Sequence, residues 1–164
     1  CKSMILTPFS YIDTILNITD NVGKESLFEA QVNRYMKFLN KQKTFNTNQF
    51  TFCIMDELFT ATNFKEGVAG AYVLTQNTIQ IPNNISIITT HFELLTKLAT
   101  KNKNKIKNMK MSLKNKQYTY KLAPGTYKNR FIATNILKET GISQKLVNGI
   151  EHFSNSIKIR IKSK

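Results

Sequence analysis

At 164 residues and 18.9 kDa, with 41% hydrophobic and 21% charged residues, the chain has enough apolar material for one domain with an ordinary core, which excludes a disordered tail. Lys and Arg number 24 against 10 acidic residues, a net charge of +14 that favours an anionic partner and excludes an acidic, solvating chain. Abundant Lys, Asn, Ile and Thr are also what a low-GC coding bias produces, so charge alone does not assign nucleic-acid binding. The two cysteines, Cys1 and Cys53, cannot build a disulfide framework, which points to a reducing compartment. Neither a membrane-length apolar run nor a signal-peptide pattern is present, so a soluble, intracellular protein is expected.

In chain order, Tyr11 to Leu16 reads as a short strand. From Ser26 the period changes: Leu27, Ala30, Tyr35, Phe38 and Leu39 share a helical face that predicts a helix to about Gln42. Phe50 to Met55 is a continuous apolar run ending in Asp56-Glu57, the pattern of a buried parallel strand covered on both faces. A helix is expected from about Glu66, then a second buried strand, Ile85 to Thr90, closing on His91. Leu94, Leu95 and Leu98 belong to a short helix. Strand, helix, strand in that order requires crossover connections and a parallel sheet. Lys101 to Lys110 reads as an exposed loop, and Met109 to Leu113 with Gln117 to Leu122 as a hairpin turning at Asn115-Lys116. Helices follow at about 131–140 and 143–153, and the basic tail 158–164 is expected to fray. With no internal repeat or linker, residues 1–164 read as one unit.

The chemistry concentrates at two strand ends. Carboxylates at the C-terminal end of a parallel strand stand where α/β sheets bind ligands. Asp56 there can hold Mg²⁺, directly or through water, and Glu57 can polarise an attacking water. His91, closing the neighbouring strand, can sense a γ-phosphate. Each feature has a plainer reading: carboxylates cap helices, and a strand-end histidine bonds to backbone. Ser26 is most economically a helix N-cap, and Phe28, Tyr35 and Phe38 are core at helical spacing. Cys53 is a small hydrophobe in a strand, and no His/Cys spacing suits zinc. The Lys101 to Lys110 run has no interleaved aromatics to stack bases.

Met55-Asp56-Glu57-Leu58, with the following segment to Gly67, resembles the Walker B region of the MutS family of mismatch-repair ATPases. Thr89-Thr90-His91-Phe92-Glu93-Leu94 resembles that family's switch-histidine motif. Gly23-Lys24-Glu25-Ser26-Leu27-Phe28-Glu29-Ala30-Gln31-Val32 is similar to its signature segment, and Thr7-Pro8-Phe9 and Asp20 fit the approach to it. The resemblance implies an α/β fold of the P-loop NTPase, ABC-ATPase-like kind: a mostly parallel sheet flanked by helices, with a C-terminal β-hairpin and helices. It implies ATP and Mg²⁺ as cofactors, Asp56 holding Mg²⁺ through water, Glu57 orienting the hydrolytic water and His91 reading the γ-phosphate. Ser26, Gly23 and Thr62 would bind the nucleotide, Ser26 acting on that of a partner subunit, and the segment Phe59 to Phe64 would lie at the dimer interface between the two nucleotide sites. The implied partners are mismatched double-stranded DNA and a second subunit, as a homo- or heterodimer, with no membrane. The implied location is nuclear or cytoplasmic, or a viral factory or virion for a viral protein.

Departures from the family pattern point to a divergent branch, viral or protist. Phe59-Thr60-Ala61-Thr62 replaces the family's Gly-Arg-Gly-Thr, an extra residue separates Gly23 from Ser26, and Gln31 stands where Glu is common. No Gly-x-x-x-x-Gly-Lys-Ser/Thr occurs in the 164 residues. The expectation is therefore a partial ATPase domain, inert alone, whose phosphate loop lies upstream. Two alternatives stand beside it: another ABC-type DNA-maintenance ATPase, and a degenerate half retained as a dimerisation or DNA-binding module.

Overall fold

The three apolar runs become parallel strands β1 (Tyr11–Ile15), β2 (Thr51–Asp56) and β3 (Asn84–Thr89), side by side in that order. The computed structural model describes residues 2–6, 8–16, 26–114, 117–127, 138 and 140–162, and the chain falls into two compact units, 1–108 and 109–164. In the first unit each crossover carries a helix, α1 (Leu27–Gln42) and α2 (Phe64–Thr78), as parallel neighbours demand.

Helix α1 starts where its sequence supplies a reciprocal cap. The Ser26 hydroxyl accepts the Glu29 N–H at 3.2 Å, and the Glu29 carboxylate accepts the Ser26 N–H at 2.9 Å. Helix α2 begins two residues earlier than the Glu66 expected, because the Asn63 side chain accepts the Glu66 N–H at 3.0 Å and caps the first turn.

The core lies between one face of the sheet and these helices. Ile15, Cys53 and Met55 point from the strands toward Tyr35 and Phe38 of α1 and Ala71 of α2. The Tyr35 hydroxyl donates to the Leu74 carbonyl at 2.9 Å and lies 3.0 Å from the Thr78 hydroxyl, joining α1 to α2. Burial pushes the Tyr35 phenol pKa above its ordinary value. Asp13, 7% exposed, meets the Arg34 guanidinium at 2.9 Å and accepts the Tyr11 hydroxyl at 2.9 Å, which ties α1 to β1.

The sheet's other face corrects the expectation of strands covered on both sides. Across the register Ile12–Phe52–Ile85 and Thr14–Ile54–Ile87, the two central residues are half-buried and the outer ones exposed, with Ile12, Ile85 and Ile87 each more than half accessible. Both helices pack on the opposite side, so apolarity of a run on two faces does not ensure a layer on each.

Beyond β3 the expected short helix is two single turns, α3 (Glu93–Thr96) and α4 (Leu98–Lys101). The lysine-rich loop after them is pinned rather than free. The Lys105 and Ile106 N–H groups donate to the Asn102 carbonyl at 2.9 Å, and the Asn108 amide donates to the Thr96 carbonyl at 2.8 Å.

The second unit holds the expected hairpin, β4 (Met109–Lys114) antiparallel to β5 (Gln117–Pro124), with a register shift between Met111 and Leu113. Ser112 and Thr119 bond across the strands, and the Tyr127 hydroxyl donates to the Met111 carbonyl. After Gly141 (φ +78°) comes α5 (Gln144–Lys162), longer than the 143–153 expected. No Gly or Pro follows Gly149, so nothing stops the helix before the basic tail. The Asn115-Lys116 turn and nearly all of the helix expected at 131–140 lie outside the described residues.

Candidate functional site

Strand β2 ends on Asp56, and its register partner on β3 is Thr89. Parallel pairing therefore puts the residues that follow, Glu57 on one strand and Thr90-His91 on the other, at the same sheet edge. The Thr89 hydroxyl donates to Asp56 Oδ1 and accepts the Glu57 N–H at 3.2 Å, and the same N–H reaches the Thr89 carbonyl at 3.2 Å. His91 Nδ1 lies 3.5 Å from Glu57 Oε1, with both side chains about half exposed. Three of the expected site residues, Asp56, Glu57 and His91, are thus brought together.

The backbone at this edge is strained. Glu57 (φ +45°) and Phe59 (φ +63°) both adopt left-handed conformations, uncommon for residues with a Cβ. The surroundings hold them there. The Phe59 N–H donates to the buried Gln31 side-chain oxygen at 2.8 Å, and its ring lies 5.3 Å from that of Phe28 on α1. On the α2 side, a Cβ on Gly67 would stand 2.4 Å from the Phe59 carbonyl oxygen, so that position requires glycine for the close approach. A Cβ on Gly70 would stand 3.4 Å from the Phe59 ring. The chain thus keeps a glycine-type backbone at position 59 while placing a fully buried ring there.

His91 is steadied by its neighbours. The Thr90 hydroxyl accepts the Phe92 N–H at 3.0 Å, the His91 and Phe92 rings are 4.5 Å apart, and Phe64 meets Phe92 edge-on at 5.9 Å.

The other expected site residues stand apart. Ser26 is engaged in the α1 capping box, its hydroxyl 3.0 Å from the Glu29 carboxylate. Its backbone and side-chain bonds to Glu29 hold that carboxyl pKa below its ordinary value. Thr62 is half-buried in the turn that leads to Asn63. Neither is hydrogen-bonded to Asp56 or Glu57 among the described residues. Gly23 lies outside the described residues, as do Thr7 and Asp20.

Two residues that matter here were not singled out as functional from sequence. Gln31 reads only as a departure from Glu, yet it is the buried acceptor that holds the loop after β2. Thr89 reads as the close of an apolar run and the first residue of the switch-histidine segment, with no role of its own. Its part depends on strand register, and counting back from His91 and Asp56 is the one signal that could have found it.

The pattern of MutS domain V matches residues 1–158, and the chain belongs to the MutS family of mismatch-repair proteins. It is similar to the DNA mismatch repair protein Msh3 of Dictyostelium discoideum, at 26% identity over 171 aligned positions covering 95% of this chain. The chain spans 12% of that protein's length.

Proposed function

We propose that the chain supplies the water-activating half of an ATP-hydrolysing site in a mismatch-repair protein of ABC-ATPase type. The phosphate-binding loop would come from sequence outside these 164 residues. The observation that carries this reading is the meeting of Asp56, Glu57 and His91 at one parallel sheet edge, with 3.5 Å between Glu57 and His91. That edge is where open α/β sheets take ligands.

Asp56 suits Mg²⁺: its carboxylate is a hard-oxygen donor, exposed at the strand end. Mg²⁺ usually keeps several waters and is held by one or two carboxylates together with substrate phosphates. When bound, such an ion neutralises developing charge on the phosphates. Asp56 would hold it through water, Glu57 would orient the attacking water and take up its proton, and His91 would donate toward the γ-phosphate oxygen. Ser26, Gly23 and Thr62 bind nucleotide in this reading, Ser26 that of a partner subunit, with the turn from Phe59 to Phe64 at the dimer interface. Coupling to mismatched duplex DNA belongs to the complete protein, as a homo- or heterodimer inside the cell.

The test is steady-state ATP turnover of the full-length protein, with and without mismatched duplex, beside Glu57→Ala. Loss of a water-activating group is expected to lower turnover by roughly 10²–10⁴-fold while ATP binding persists. Undiminished turnover would remove Glu57 from the mechanism. A second reading, a degenerate half kept as a dimerisation or DNA-binding module, draws on Phe59 in the glycine position. Absence of ATP turnover in the full-length protein, with dimerisation intact, would favour it.

A further inference from the structure

We infer that Thr89 is the positioning residue of this site, fixing Asp56 and Glu57 relative to each other; the inference rests on the ATP-hydrolysis reading above. A threonine hydroxyl has one proton to give and lone pairs to receive. An ionised Asp56 can only accept, and the Glu57 N–H can only donate, so the Thr89 oxygen has one self-consistent arrangement: its proton goes to Asp56 Oδ1 and a lone pair receives Glu57 N–H. The first bond sets the Asp56 rotamer. The second, with the Thr89 carbonyl, holds the Glu57 amide at the point where the backbone turns left-handed, φ +45°. That turn carries the Glu57 carboxylate toward His91, two residues beyond Thr89 on the same chain segment. One side chain on the neighbouring strand thus governs the metal-side carboxylate and the water-side carboxylate together. Thr89, Asp56 and Glu57 are all exposed residues, so the bonds do not serve to satisfy a buried side chain; their work is orientation.

Thr89→Val keeps the branched shape that suits a strand and removes only the hydroxyl. In the full-length protein it is expected to lower kcat by about 10–100-fold, the usual cost of losing an outer-shell partner, with the KM for ATP changed less than about 3-fold. The Mg²⁺ concentration needed for half-maximal binding of a non-hydrolysable ATP analogue, followed by fluorescence at equilibrium, is expected to rise, since Asp56 loses its fixed rotamer. Thr89→Ser restores the hydroxyl and is expected to return both quantities to within about 3-fold of the parent. Equal losses in Val and Ser, in step with a lowered melting temperature, would overturn the inference in favour of a packing role. So would a Val variant matching the parent in turnover and Mg²⁺ dependence while Glu57→Ala is inactive, and that result would leave the ATP-hydrolysis reading intact. If Glu57→Ala retains full turnover, the reading itself falls, and the inference with it.

Discussion

Phe59 occupies a backbone conformation that costs a residue with a Cβ about 1–2 kcal/mol, yet its ring is fully buried between Phe28 and Gly70. Losing a buried phenylalanine side chain costs about 3–5 kcal/mol, so packing outweighs strain. Phe59→Gly is therefore expected to destabilise the chain by about 2–3 kcal/mol, read as a lowered urea midpoint, despite restoring the residue best suited to the angle. Cys53 makes a second case at this scale. Burial, with Asp13 nearby, pushes its thiol pKa up to about 12, against 9.0 for an ordinary thiol. A folded pKa raised in this way contributes stability that is whole below pH 9.0 and is lost as pH climbs toward about 12. Alkaline denaturation of Cys53→Ala should show a shallower decline across that window. In a Cys1→Ser background at pH 8, a thiol reagent should label Cys53 only on unfolding.

Among the elements, α1 does more than fill space. Ser26 and Glu29 start it, Arg34 binds it to β1, Tyr35 to α2, and Gln31 to the loop after β2. Gln31→Leu would strand the buried Phe59 N–H and is expected to cost about 1–3 kcal/mol, read as a lowered urea midpoint. The start and end of α1 were legible because capping and apolar period are local signals. The start of α2 is equally local, in the Asn63 cap and Glu66. What lay beyond sequence was non-local: Gln31 looks like a polar interruption of a helix until the loop it supports is placed 28 residues on. Likewise Asp56, Glu57 and His91 announce themselves by type and position, whereas Thr89 gains meaning only from register.

For the molecule as a whole, the three-stranded sheet is the least finished part. Its apolar runs predicted burial on both faces, and one face is open, because the extent of covering depends on layers that no strand encodes by itself. An exposed stripe of Ile12, Ile85 and Ile87 on a strongly basic chain should bind a hydrophobic dye without wholesale aggregation, since the charge of +14 keeps copies apart. Replacing Ile85 and Ile87 by Thr should reduce dye fluorescence while leaving the melting temperature within a few degrees, because Thr retains strand preference. Unchanged fluorescence would place the dye-binding surface elsewhere.

The closeness of Phe59 to Gly70 also sets what each position can carry. Here the space above α2 is filled from the loop; a glycine at position 59 would leave that space vacant, and a larger apolar side chain at position 70 could then enter it. The two positions therefore share one volume, and a change at either alters what the other can hold.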